Sequence, residues 1–121
     1  MINTEKTKIY DLEERTFEFA KNCRDFTKIL PKTNENIEYT KQLVRSSGSP
    51  AANYIEANES LSKKDFVLRI KICRKEAKEC RLWLRLCYLG GSDDLKKKQG
   101  RLIQEAIELV KIFHSILGKF E

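Results

Sequence analysis

The sequence predicts an all-α fold, an antiparallel up-down-up-down four-helix bundle forming a single domain over residues 1–121. Three observations predict it. Only two prolines and five glycines interrupt the 121 residues. Apolar side chains recur at steps of three and four in four long runs, and residues that start or stop helices bound each run. Helices of about 20 to 28 residues would each be roughly 30 to 40 Å long, and short connections force neighbours to run antiparallel.

The first helix, roughly residues 10–30, lines up Ile9, Leu12, Thr16, Phe19, Cys23, Phe26 and Leu30 on one face. Asp11 with Glu14 resembles a capping pair at its start, and Pro31 ends it by pushing the residue before it out of helical geometry. The second helix, 34–58, is expected to begin at Asn34 as N-cap and to turn Ile37, Thr40, Val44, Ser47, Ala51 and Ile55 inward. Pro50 lacks the N–H that would bond the carbonyl of Ser46, so a bend rather than a stop is expected there, with Asn58 as a left-handed terminator.

The third helix, 63–89, opens on Ser62 and Asp65, a capping-box variant. Phe66, Ile70, Cys73, Ala77, Cys80, Leu84 and Cys87 then alternate steps of four and three without error, the seam a helix needs in a left-handed bundle. The following Leu89-Gly90-Gly91-Ser92-Asp93-Asp94 is no phosphate loop, because no strand precedes it and the Walker lysine is missing. Gly90 can stop the third helix in a left-handed turn, Ser92 can cap the fourth, and the two aspartates suit the positive end of its dipole. The fourth helix, 93–120, carries Leu95, Leu102, Ala106, Leu109, Phe113, Leu117 and Phe120.

Several function classes are disfavoured. The N-terminal residues lack the apolar core of a secretion signal, and no run approaches the roughly 20 apolar residues of a membrane span, so a cytoplasmic protein without membrane contact is expected. Cys73, Cys80 and Cys87 would sit about 10 Å apart along one helix, too far for a disulfide or a shared zinc, and read as buried thiols; Cys23 can meet one of them across an interface. His114 is the sole histidine, and Glu-x-x-His pairs of the kind that hold metals in bundles are missing. A non-catalytic protein with no cofactor and no metal is expected.

Charge is concentrated on the third helix. Lys71, Arg74, Lys78, Arg81 and Arg85 form one stripe at steps of three and four, and residues 63–88 carry a basic surplus matching the net charge of +6. One reading is a solvated face whose arginines pair with Glu13, Glu14 and Glu18 of the first helix. The other is contact with phosphates, with steep salt dependence and little base specificity, and Lys96, Lys97 and Lys98 can extend it. Away from the stripe, Leu68, Ile72, Trp83 and Leu86 form a second apolar arc, which needs either a second copy of the chain or a neighbouring helix to cover it.

The run RSSGSPAANYIEA, Arg45 to Ala57, gives up side-chain bulk within the second helix. Glycine costs about 1 kcal/mol and interior proline about 3 kcal/mol of helix stability, so this segment has to gain from close packing. Another backbone, or Phe17, Phe19 or Trp83, can fill the space. Arg45, Asn53 and Glu56 share its polar side, as a structural hydrogen-bond network or a ligand-facing trio; the network is favoured because no catalytic base accompanies them.

YDLEERTFEFAKN, Leu30-Pro31, KQLVRSSGSPAANYIEANESLSKKDF and RIKICRKEAKECRLWL together resemble the four-helix-bundle proteins encoded in intervening sequences of bacterial 23S ribosomal RNA genes. The resemblance covers roughly Ile9 to Leu89, is most specific at RSS, ANYIEA and KKDF, and reaches the fourth helix only as a pattern. Pro50 departs from it, standing where relatives often have an aliphatic or small residue. The resemblance implies a bundle that assembles as a ring-like homopentamer with a positively charged surface. Accessory proteins of diversity-generating retroelements are similar in fold and associate with nucleic acid and a reverse transcriptase. The expectation is a non-catalytic homo-oligomer that binds RNA or other nucleic acid through the basic stripe and self-associates through the apolar arc. The alternative is a scaffold or adaptor docking an acidic partner protein.

Overall fold

Four helices, α1 (Leu12–Lys28), α2 (Asn34–Asn58), α3 (Lys63–Leu86) and α4 (Asp93–Gly118), follow one another through short connections. The structure, a computed structural model, describes residues 11–120, so Ile9 lies outside the described residues. Each helix packs along its neighbour in the chain and α4 closes back onto α1, the contact pattern of an up-down bundle.

The core follows the periodicity for three of the helices. Leu12, Thr16, Phe19, Cys23, Phe26 and Leu30 are buried, as are Ile70 through Cys87 along the α3 seam and Leu95 through Leu117 along α4. Phe66 is half-buried, and Phe120 is exposed at the end of the bundle. Thr16 is tolerated in this interior because its hydroxyl donates to the carbonyls of Leu12 and Glu13, both at 2.9 Å.

The inner face of α2 differs from expectation. Ile37, Val44 and Ile55 are 48%, 46% and 51% exposed, and the buried face is Leu43, Ser46, Ser47, Pro50 and Ala57. Residue size misleads here: Ile37, Val44 and Ile55 face outward, and Ser46, Ser47 and Pro50 face inward with Leu43, because α2 packs closely against the cysteine seam of α3. Cys80 Sγ donates to Ser46 Oγ and Cys73 Sγ to the carbonyl of Pro50, each at 3.4 Å. Thiols rather than aromatics thus occupy this space. Phe17 is exposed, and Trp83 packs beside Tyr39 with ring centroids 6.3 Å apart. The helix runs through Pro50 without interruption.

Three of the helix starts are capped by hydroxyls: Thr33, Ser62 and Ser92 each accept from the backbone N–H three residues on, at 3.1 Å. Thr33 therefore replaces Asn34 as the cap of α2. Asp11 precedes α1 without a side-chain capping bond, and α1 ends at Lys28, ahead of Pro31. Asn58 is not left-handed; its amide donates to Glu13 Oε1 at 3.2 Å and ties the end of α2 to the start of α1. Gly90 and Gly91, at φ +64 and +76, make the left-handed turn between α3 and α4, and a Cβ at Gly90 would stand 3.2 Å from Pro31 Cγ.

Candidate nucleic-acid interface

The stripe Lys71, Arg74, Lys78, Arg81 and Arg85 runs along α3 on its α4 side. Lys71, Lys78 and Arg85 are exposed, Arg74 and Arg81 half-buried. Among the described residues none of the five pairs with a carboxylate; the ion pairs involve other cations. Pairing with Glu13, Glu14 or Glu18 is excluded by topology, since α1 and α3 sit diagonally and do not pack on each other. Of the lysine run at the start of α4, Lys98 bonds Asp94 at 3.1 Å, leaving Lys96 and Lys97 exposed.

The antiparallel register adds groups from α4. Arg74 Nη1 lies 3.1 Å from His114 Nδ1. A guanidinium can only donate, so Nδ1 is the acceptor in this contact. Arg74, Lys75 and Lys78 then line one side of a shallow open depression of about 580 Å³, with Val110, Lys111, His114 and Ser115 on the other. Arg81 Nε is buried without a hydrogen-bond partner, a donor left unspent. Lys111 and His114 are not part of the predicted stripe because a one-helix wheel cannot show what the next helix brings alongside; the register of α3 against α4 is the missing signal.

Cations and donors that pair with no carboxylate among the described residues suit an anion rich in acceptors, and side chains of this kind hold phosphates without reading bases. Burial pushes the thiols of Cys73 and Cys80 up to about 12 and that of Cys87 up to about 11, and Cys23 is raised as well. Among the described residues no three His, Cys, Asp or Glu side chains are grouped to hold a metal, and no helix is long and apolar enough to cross a membrane.

The apolar arc is divided. Ile72 and Trp83 are half-buried, Trp83 against Tyr39 of α2, and Trp83 Nε1 donates to Glu79 Oε2 at 2.9 Å. Leu68 and Leu86 are exposed, together with Leu82. Arg45, Asn53 and Glu56 are not joined in one network. Arg45 reaches Glu76 at 3.3 Å and also Glu79, whereas the Asn53 amide donates to Ser49 and its Oδ1 accepts from Arg69 at 3.0 Å. Glu56 is exposed and accepts only through its backbone carbonyl. Arg45 and Asn53 thus fasten α2 to α3.

The model of the 23S rRNA-intervening sequence protein family matches residues 8–116. Among solved structures, the chain is similar to a protein of unknown function from the S23 ribosomal protein family of Bacteroides thetaiotaomicron. Identity is 28%, the match covers 87% of this chain and 96% of that one, and the TM-score is 0.74. No curated protein matches the chain.

Proposed function

Since the chain belongs to the 23S rRNA-intervening sequence protein family, we propose that it works by binding rather than catalysis, as a cytoplasmic homo-oligomer that holds structured RNA on its α3–α4 face. The observation that carries this reading is the set of five α3 cations that, among the described residues, pair with no carboxylate. Lys111 and His114 widen the same face from α4. Lysine and arginine at these positions would contact phosphates, releasing counterions, with little preference for base sequence.

The proposed assembly is a ring-like homopentamer in which the exposed Leu68 and Leu86 meet another copy and Ile72 and Trp83 support them from beneath. Exposed leucines along one helix favour such contact. Each added copy contributes one more basic stripe, so modest contacts on one subunit sum over the assembly. Fluorescence anisotropy with structured RNA over a salt series tests the reading. Binding that weakens steeply with salt supports it. Absence of binding at low salt, or affinity unchanged when Arg74, Arg81 and Arg85 are all replaced by glutamate, refutes it.

A further inference from the structure

Four cations from two helices meet at one place on the α3–α4 face. Arg74, Lys75 and Lys78 line the α3 side of the open depression of about 580 Å³, and Lys111 lines the α4 side. Lys75 and Lys111 stand off the linear stripe, so the depression gathers more positive charge than any equal length of the stripe. Among the described residues none of the four pairs with a carboxylate, and no acidic side chain lines the depression. Glu76 and Glu79 of the same helix are drawn to α2 by Arg45, and Glu108, three residues before Lys111, accepts from Gln104.

A ligand here has to answer four positive charges in a small space. Internal phosphates of a nucleic acid bring one negative charge each, spread out along the backbone. A phosphomonoester brings about −1.5 to −2 at neutral pH, with three acceptor oxygens on one phosphorus. The donors suit that group. Arg74 Nη1 is anchored by His114 Nδ1 at 3.1 Å, and Arg74 makes no other side-chain hydrogen bond among the described residues. The rest of its N–H fork is free for two parallel bonds to phosphate. The three lysines add rotatable ammonium donors, and Ser115 adds a hydroxyl. Reading of a base is not built in: among the described lining residues there is no Phe, Tyr or Trp to stack on a base and no Asn or Gln to meet its edge.

We infer that the depression takes a terminal phosphomonoester of a bound RNA, while the stripe beyond it holds internal phosphates. This rests on the RNA-binding reading above and names the chemical group that one point of the same face selects. Arg81 and Arg85 continue the stripe from Lys78, and Arg85 stands roughly 10 Å further along α3. An RNA whose backbone follows them brings its end to the depression, and the open mouth lets the end group enter while the rest of the RNA stays outside.

The test is fluorescence anisotropy with one internally labelled RNA hairpin in three forms, carrying hydroxyls at both ends, a 5′-phosphate, or a 3′-phosphate. At least one phosphorylated form should bind about tenfold more tightly than the hydroxyl form, the worth of one further charge-assisted contact. Replacing the exposed Lys75 and Lys111 together, Lys75→Gln with Lys111→Gln, should bring that ratio to about one. Arg85→Gln, outside the depression, should weaken all three forms and keep the ratio. Equal affinity for the three forms, or a ratio unchanged in the double lysine variant, overturns the terminal-phosphate site and leaves RNA binding standing. Adenosine 5′-monophosphate binding as tightly as the phosphorylated hairpin makes this a free-nucleotide site and overturns the RNA-end assignment. Absence of binding by every form overturns both readings.

Discussion

The side chain of Asn36 and the backbone of Tyr88 hold each other in both directions: Oδ1 accepts from Tyr88 N at 2.8 Å while Nδ2 donates to Tyr88 O at 2.9 Å. The same Nδ2 donates to the carbonyl of Pro31 at 2.9 Å, so one amide, 2% exposed, joins the α1–α2 connection to the segment that follows α3. Removing a partner from buried backbone groups costs about 1–3 kcal/mol for each group left unsatisfied. Asn36→Ala should therefore lower stability by about 2–4 kcal/mol, measured by urea unfolding followed by circular dichroism. A loss below about 1 kcal/mol would mean that water satisfies these groups equally well.

Charge reversal at Arg74, Arg81 and Arg85 together should weaken RNA binding by at least about tenfold near 0.1 M salt and flatten its salt dependence. The slope of log affinity against log salt falls by about 0.7 for each single-strand phosphate contact removed and about 0.9 for each duplex contact. Arg24→Glu is the control, an equal charge change per site on α1, where Arg24 already pairs with Asp25 at 3.1 Å. Anisotropy titrations at several salt concentrations should show little effect from it.

The buried thiols predict a pH dependence with a definite sign. Burial raises Cys73 and Cys80 from 9.0 to about 12 and Cys87 to about 11, so the folded chain holds their protons more tightly than the unfolded chain. Their contribution is fully present below about pH 9 and is lost as pH climbs from 9 toward 12, where the unfolded chain ionises first. Thermal midpoints should fall steadily over that window. At pH 8 an alkylating reagent should modify these cysteines only at the rate at which the protein opens, and at once in denaturant.

Helix existence was legible because period and punctuation agree along α1, α3 and α4, where large apolar residues mark the buried face. On α2 they do not: Ser46, Ser47 and Pro50 are buried while Ile37 and Ile55 are exposed. A hydrophobicity wheel weights size, and close helix packing rewards the lack of it. The stripe on α3 was legible as a line of cations, but its partnering with His114 and Lys111 depends on interhelical register, which no local pattern encodes. Asn36 carried no signal at all, since a polar residue near a helix start looks like solvent-facing capping until the Tyr88 segment folds over it.

Pro50 sets two magnitudes against each other. A proline in a helix interior costs about 3 kcal/mol relative to alanine, and nothing in α2 relieves it by ending the helix. Against this, the ring is fully buried beside the α3 cysteines. Trimming it to alanine removes two buried carbons at about 0.8 kcal/mol each, with a small cavity term added. The backbone carbonyl that accepts from Cys73 survives the change, and the new N–H can bond the carbonyl of Ser46. The helix term exceeds the packing term, so Pro50→Ala should stabilise the protein by about 1 kcal/mol, read as a higher urea midpoint with unchanged helical signal. A lower midpoint would show that the ring's packing against Cys73 outweighs the backbone strain it introduces.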